Sequence, residues 1–110
     1  MNNKLSIITQ LFEGKEIRSI WDKEKEDYYF SVVDVISALT DNDYDKSRNY
    51  WKWLKNKLKE EGSELVSDTN QLKMRAKDGK MRETDTLDTE GIFRLIESVP
   101  TSKAEVFCIK

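Results

Sequence analysis

The residues of this chain that invite chemistry are cations. From Lys46 to Lys59 it places Lys46, Arg48, Lys52, Lys55, Lys57 and Lys59 with no acid among them. Extended to Arg82, the segment holds 11 basic against 5 acidic residues, a local net of +6, inside a chain whose total is −2. Residues 13–45 carry −6 and residues 83–110 carry −3, so the small overall charge conceals a polarised molecule. A concentrated positive field draws an anionic partner, and nucleic acid is the polyanion such domains most often meet. The plainer alternative is a solvated helix face that only aids solubility, and charge alone does not separate the two.

Other chemistries find little material. The chain has no histidine, which removes the commonest general base and metal ligand, and one cysteine, Cys108, which cannot build a thiolate zinc site or an internal disulfide. A metal-dependent nuclease would have to use Asp34, Asp41, Asp43 or Asp45, because phosphodiester hydrolysis by metals relies on clustered acids. Helix capping explains those acids more simply, and no accompanying lysine motif is present. The expectation is a domain that is not an enzyme and needs no cofactor. With no membrane-length apolar run and no leader pattern, it is expected in a reducing cytoplasm.

The elements that must position the cations follow from periodicity. On a helical wheel from residue 46 to 59, Arg48, Lys52, Lys55 and Lys59 fall within about 60° of one another, while Tyr50, Trp51, Leu54 and Leu58 occupy a sector roughly 120° away. One side can pack on the domain and leave a basic ridge outside. Like charges four residues apart, Arg48 with Lys52 and Lys55 with Lys59, destabilise a helix by about 0.2–0.5 kcal/mol per pair. That cost favours a ligand-facing role. Trp51 falls in the apolar sector and is expected in the core. Trp53 falls outside it, suited to stacking a base of single-stranded DNA or to a protein contact. Asp41-Asn42-Asp43 breaks the preceding helix and caps this one, and Gly62 ends it.

Asp78-Gly79 predicts a two-residue hairpin turn between extended segments. In that register Lys77 faces Lys80, Arg75 faces Arg82 and Lys73 faces Thr84. Five cations would then share one face of a ribbon, with Leu72, Met74, Ala76 and Met81 on the other.

Upstream, residues 5–12 and 16–21 read as strands joined around Glu13-Gly14-Lys15. The charged Asp22–Asp27 stretch is a loop, and Tyr28-Tyr29-Phe30 is a third strand. Ser31 caps a helix whose Val32, Val35, Ile36 and Leu39 form one apolar stripe, with Asp34 in its first turn. Residues 63–70 read as a polar loop. A short strand ends at Leu87, and Asp88 caps a helix running to Ser98 that bears Ile92, Phe93, Leu95 and Ile96. The segment Lys103–Lys110 starts as a helix and runs out. The fold class is α+β: a small antiparallel meander plus a β-hairpin packed with three to four helices. A length of 110 residues suits a single domain, 1–110, here expected to be truncated at its carboxy-terminal end.

Several runs also resemble a known family. Trp21 to Leu39, with Tyr29-Phe30-Ser31-Val32-Val33-Asp34-Val35 and Ala38-Leu39, is similar to the opening of the BRO family amino-terminal (Bro-N) domain. Glu90-Gly91-Ile92-Phe93-Arg94-Leu95-Ile96, then Ser98, Pro100 and Lys103-Ala104-Glu105-Val106-Phe107, gives a second match. The middle, Tyr50-Trp51-Lys52-Trp53-Leu54-Lys55 with Leu58-Lys59-Glu60-Glu61-Gly62-Ser63-Glu64-Leu65 and Gln71-Leu72-Lys73-Met74, looks closest to the bacterial DNA damage-inducible protein D group. Many relatives have a Gly-rich turn where this chain has the Asp22–Asp27 loop, and commonly continue into a tryptophan-containing helix after the Lys-Ala-Glu-x-Phe segment. The resemblance implies an α+β DNA-binding domain of prophage antirepressors or damage-response proteins, without catalysis.

The expected interface is therefore Arg48, Lys52, Lys55 and Lys59 on a helix beside Lys73, Arg75, Lys77, Lys80 and Arg82 on a hairpin. Trp53 is a candidate base-stacking residue. Arg48, Arg75 and Arg82 are the better candidates for reading guanine edges, because arginine bonds bidentately where lysine mostly neutralises phosphate. The partner is DNA, duplex or single-stranded. The alternative is a protein-interaction module docking on an acidic repressor or a recombination protein. A homodimer would suit a domain this small.

Overall fold

A computed structural model describes residues 16–99. The expected strand at 5–12, its Glu13-Gly14-Lys15 turn and the segment Lys103–Lys110 lie outside the described residues. Along the chain run β1 (Ser19–Asp22), β2 (Asp27–Ser31), α1 (Val32–Thr40), α2 (Tyr44–Glu60), α3 (Glu64–Ser67), β3 (Asn70–Arg75), β4 (Met81–Asp88) and α4 (Thr89–Ser98). The four strands form one antiparallel sheet in the order β1-β2-β4-β3. Meander and hairpin are thus fused, because Tyr29, Phe30 and Ser31 pair with Asp88, Leu87 and Thr86. The strand expected to end at Leu87 is not a separate element. It is the far half of β4, whose near half forms the hairpin.

Side-chain caps set the helix boundaries. The Ser31 hydroxyl accepts from the Asp34 amide at 3.3 Å, Asp43 accepts from Lys46 at 2.8 Å, and Asp88 accepts from Gly91 at 2.8 Å. Each satisfies an amide that the first helical turn leaves without a partner. At the far end of α2 the Gly62 amide bonds the Lys59 carbonyl at 3.1 Å and the Ser63 amide bonds Leu58 at 2.9 Å, a Schellman closure. Residues 63–70 are not wholly loop: Ser63 caps the single turn α3, which buries Leu65. One turn is too short to show a hydrophobic period, so periodicity does not reveal it.

One core joins the layers. The four expected α1 residues, Val32, Val35, Ile36 and Leu39, are all buried, with Trp51, Leu54 and Leu58 of α2, Ile92, Leu95 and Ile96 of α4, and Phe30 and Leu87 of the sheet. The α4 helix sits close over β4 at Gly91, where an added Cβ would lie 2.9 Å from Leu87 Cδ2 and 3.0 Å from Leu87 Cβ. Leu87 is fully buried and has nowhere to retreat. Gly91→Ala should therefore lower stability by about 1–2 kcal/mol despite the better helix propensity of alanine. A urea titration checks the sign.

A single arginine ties three elements together. The Arg18 amide and Nε donate to Asp34 Oδ2 at 3.0 and 2.7 Å, and its Nη2 donates to Asp34 Oδ1 at 3.2 Å and Ser31 Oγ at 3.3 Å. Its Nη1 reaches the Arg75 carbonyl at 3.1 Å. Asp34 thus does more than favour a helix start. It holds the guanidinium that links β1 and α1 to the outer end of β3.

Candidate nucleic-acid interface

The ridge on α2 forms much as its spacing predicts. Arg48, Lys52 and Lys59 are exposed, and none makes an ion pair with any of the described residues. Lys55 differs. It lies at the edge of the ridge nearest Trp51 and turns inward, its Nζ donating to Asp85 Oδ2 at 2.9 Å. The same oxygen accepts from Trp51 Nε1 at 2.7 Å, and Asp85 Oδ1 accepts from Gln71 Nε2 at 3.2 Å. Burial alone would push the Asp85 carboxyl up. The bonds from Trp51, Lys55 and Gln71, with the Lys55 charge, outweigh it and hold the carboxyl below its ordinary value.

This polar junction fixes α2 against the hairpin. Gln71 and Asp85 are cross-strand partners, so Trp51 and Lys55 of α2 meet the ribbon at Asp85, on the face carrying both. Trp51 is core, as its sector predicts, but with its indole N–H committed to a strand carboxylate. Composition held one hint: Asp85 is a lone acid in Thr84-Asp85-Thr86-Leu87, a run otherwise suited to a strand, and an inward acid there needs a donor.

The hairpin departs from expectation by one residue. Lys73 pairs with Glu83, Met74 with Arg82 and Arg75 with Met81. The Ala76 amide bonds the Lys80 carbonyl at 2.8 Å, and the Gly79 amide bonds the Ala76 carbonyl at 2.9 Å with Gly79 at φ 85°. That is a three-residue loop, Lys77-Asp78-Gly79, in which only glycine needs a positive φ. The expected two-residue turn would require positive φ at Asp78 as well. Asp78 instead accepts from the Lys80 amide at 3.0 Å and from Arg82 Nη2 at 2.6 Å.

A shift of one residue moves side chains to the opposite face. The expected single face of five cations is therefore corrected. Lys73 and Arg75 share the face of Gln71, Glu83 and Met81, whereas Arg82 shares the other with Met74 and Thr84. Lys77 and Lys80 are exposed in the loop. Arg82 is countered by Asp78, and the hydrogen bond that it donates to that carboxylate holds its guanidinium more firmly protonated. Of the nine candidate cations, Lys55 and Arg82 carry ion pairs, and the other seven carry none among the described residues.

The aromatics divide as expected. Trp53 is 54% exposed. Its ring lies 5.6 Å from Tyr50 and 5.2 Å from the Lys57 ammonium. Two of the four acids considered for metal chemistry are engaged elsewhere: Asp34 with Arg18 and Asp43 with the α2 cap. Among the described residues no group of three or more His, Cys, Asp or Glu side chains is placed to hold a metal ion, and no helix is long and apolar enough to cross a membrane.

The family model described as "BRO family, N-terminal domain" matches residues 16–108. No curated protein and no solved structure matches the chain. The match spans the sheet, its four helices and the candidate interface. The chain therefore belongs to the BRO family, as an N-terminal domain of that family.

Proposed function

We propose that this domain binds DNA as a non-catalytic regulatory module of a cytoplasmic prophage antirepressor or DNA-damage-response protein. Arg48, Lys52 and Lys59 engage phosphates from α2, while Lys73, Arg75, Lys77 and Lys80 do so from the hairpin. The observation that carries this reading is the group of seven candidate cations without a counter-charge among the described residues, in a chain with 21 acids available to neutralise them. Family membership supports it, since Bro-N domains are generally associated with DNA-binding and antirepressor-type proteins. Arg48 and Arg75 are the better base readers, because Arg82 is already held by Asp78. Lys55 serves the interface by fixing α2 to β4.

Binding to random duplex and single-stranded oligonucleotides, followed by fluorescence anisotropy against salt, tests this. Each neutralised phosphate contributes about −0.9 to the log–log slope on duplex and about −0.7 on single strands, so four to six contacts give a duplex slope of about −4 to −5. A flat slope contradicts the reading. Silence with both nucleic acids, together with salt-sensitive capture of a purified acidic repressor or recombination protein, would support the protein-interaction alternative instead.

A further inference from the structure

The α2 helix buries only a narrow sector, Ser47, Trp51, Leu54 and Leu58, and leaves two exposed faces rather than one. The first is the cationic ridge. The second, about 120° around the helix, is centred on Trp53 and carries none of the nine cations of the interface above. Lys46 and Glu60 lie seven residues to either side of Trp53, two heptads end to end, and fall on its stripe. All three are exposed, and neither Lys46 nor Glu60 makes an ion pair among the described residues. Tyr50 and Lys57 flank the indole and hold it in place.

We propose that this face pairs two copies of the chain, with their α2 helices antiparallel about a twofold axis passing Trp53. The sequence is self-complementary in that arrangement. Trp53 meets its own copy, Lys46 of each chain meets Glu60 of the other, Tyr50 meets Asn56, and Asn49 meets Lys57. No like charges oppose one another. A parallel pairing would set Lys46 on Lys46 and Lys57 on Lys57, so the charge pattern selects the antiparallel one. The twofold lies perpendicular to both helix axes and keeps both cationic ridges on one side of the pair. Two ridges on one side can lie on a single polyanion.

One helix face about 25 Å long buries less than the roughly 800 Å² per partner of a standard interface, so the dimer is weak. It stands apart from the DNA reading, because self-association is measured without nucleic acid. Sedimentation velocity from micromolar to millimolar chain should show a monomer–dimer equilibrium. Trp53→Ala should raise the dissociation constant by about tenfold or more. K46E and E60K should each weaken pairing, since each sets like charges together twice. The K46E/E60K double variant restores the opposite charges and should return to the wild-type value. All these positions are exposed, so thermal melts should stay unchanged. A wild-type chain monomeric throughout, a dimer that survives Trp53→Ala, or a double variant no better than K46E would overturn the proposal. So would quenching of Trp53 by a single-stranded oligonucleotide on a chain that stays monomeric, which would give the indole to base stacking.

Discussion

Asp85→Ala should lower the free energy of unfolding by about 2–4 kcal/mol, more than removal of either Lys55 or Gln71. Its carboxylate takes three donors, from Trp51, Lys55 and Gln71. Alanine would leave the Trp51 indole N–H unpaired inside a residue only 3% exposed. Lys55→Ala should cost less, because Lys55 sits at the rim and Asp85 keeps two donors. Asp85→Asn should fall between, since it retains an acceptor for the indole and loses the charge. The pH dependence has a definite sign. With a folded pKa below the unfolded value of about 3.9, Asp85 adds stability above that pH and loses it as pH falls through the folded pKa. The gap between the parent protein and Asp85→Asn should therefore narrow in acid below about pH 4, as read by denaturant melts across that window.

The second large effect separates ligand contact from scaffold. The R48E/K52E double variant should weaken DNA binding on the order of 100-fold at low salt and flatten the log–log slope by about 2. Both side chains are exposed and unpaired among the described residues, and the double reversal exchanges one like-charge pair for another, so the melting temperature should stay near that of the parent. K55E should behave in the opposite way. It sets a carboxylate against Asp85, and its cost should appear in the melt. Unchanged affinity in R48E/K52E with a normal fold would remove α2 from the interface.

Local patterns carried much of this fold in plain view. The α1, α2 and α4 helices are marked by Ser31, Asp43 and Asp88 ahead of apolar residues at helical spacing, and all three form where those signals stand. Asp78-Gly79 marked the hairpin but not its register, because Asp-Gly suits both a two-residue and a three-residue loop. What decides between them is chemistry beyond the turn: Asp78 bonding Lys80 and Arg82, and Arg18 gripping the Arg75 carbonyl 57 residues away. The Lys55–Asp85 pair was hidden for the same reason. A wheel places Lys55 on the ridge to within a few tens of degrees, but only the packed strand shows that an acid waits at its edge. The candidate site was thus legible as a set of residue types, and its division into free and committed cations was not.

The Arg18 clamp carries one more consequence. Its partners come from residues 31, 34 and 75, so the guanidinium is satisfied only when the early meander and the late hairpin are both in place. The sheet order says the same, since β4, from the second half of the chain, lies between β2 and β3. No cut between Thr40 and Asn70 would leave two self-sufficient halves. Early and late segments must be won or lost together, as one cooperative unit.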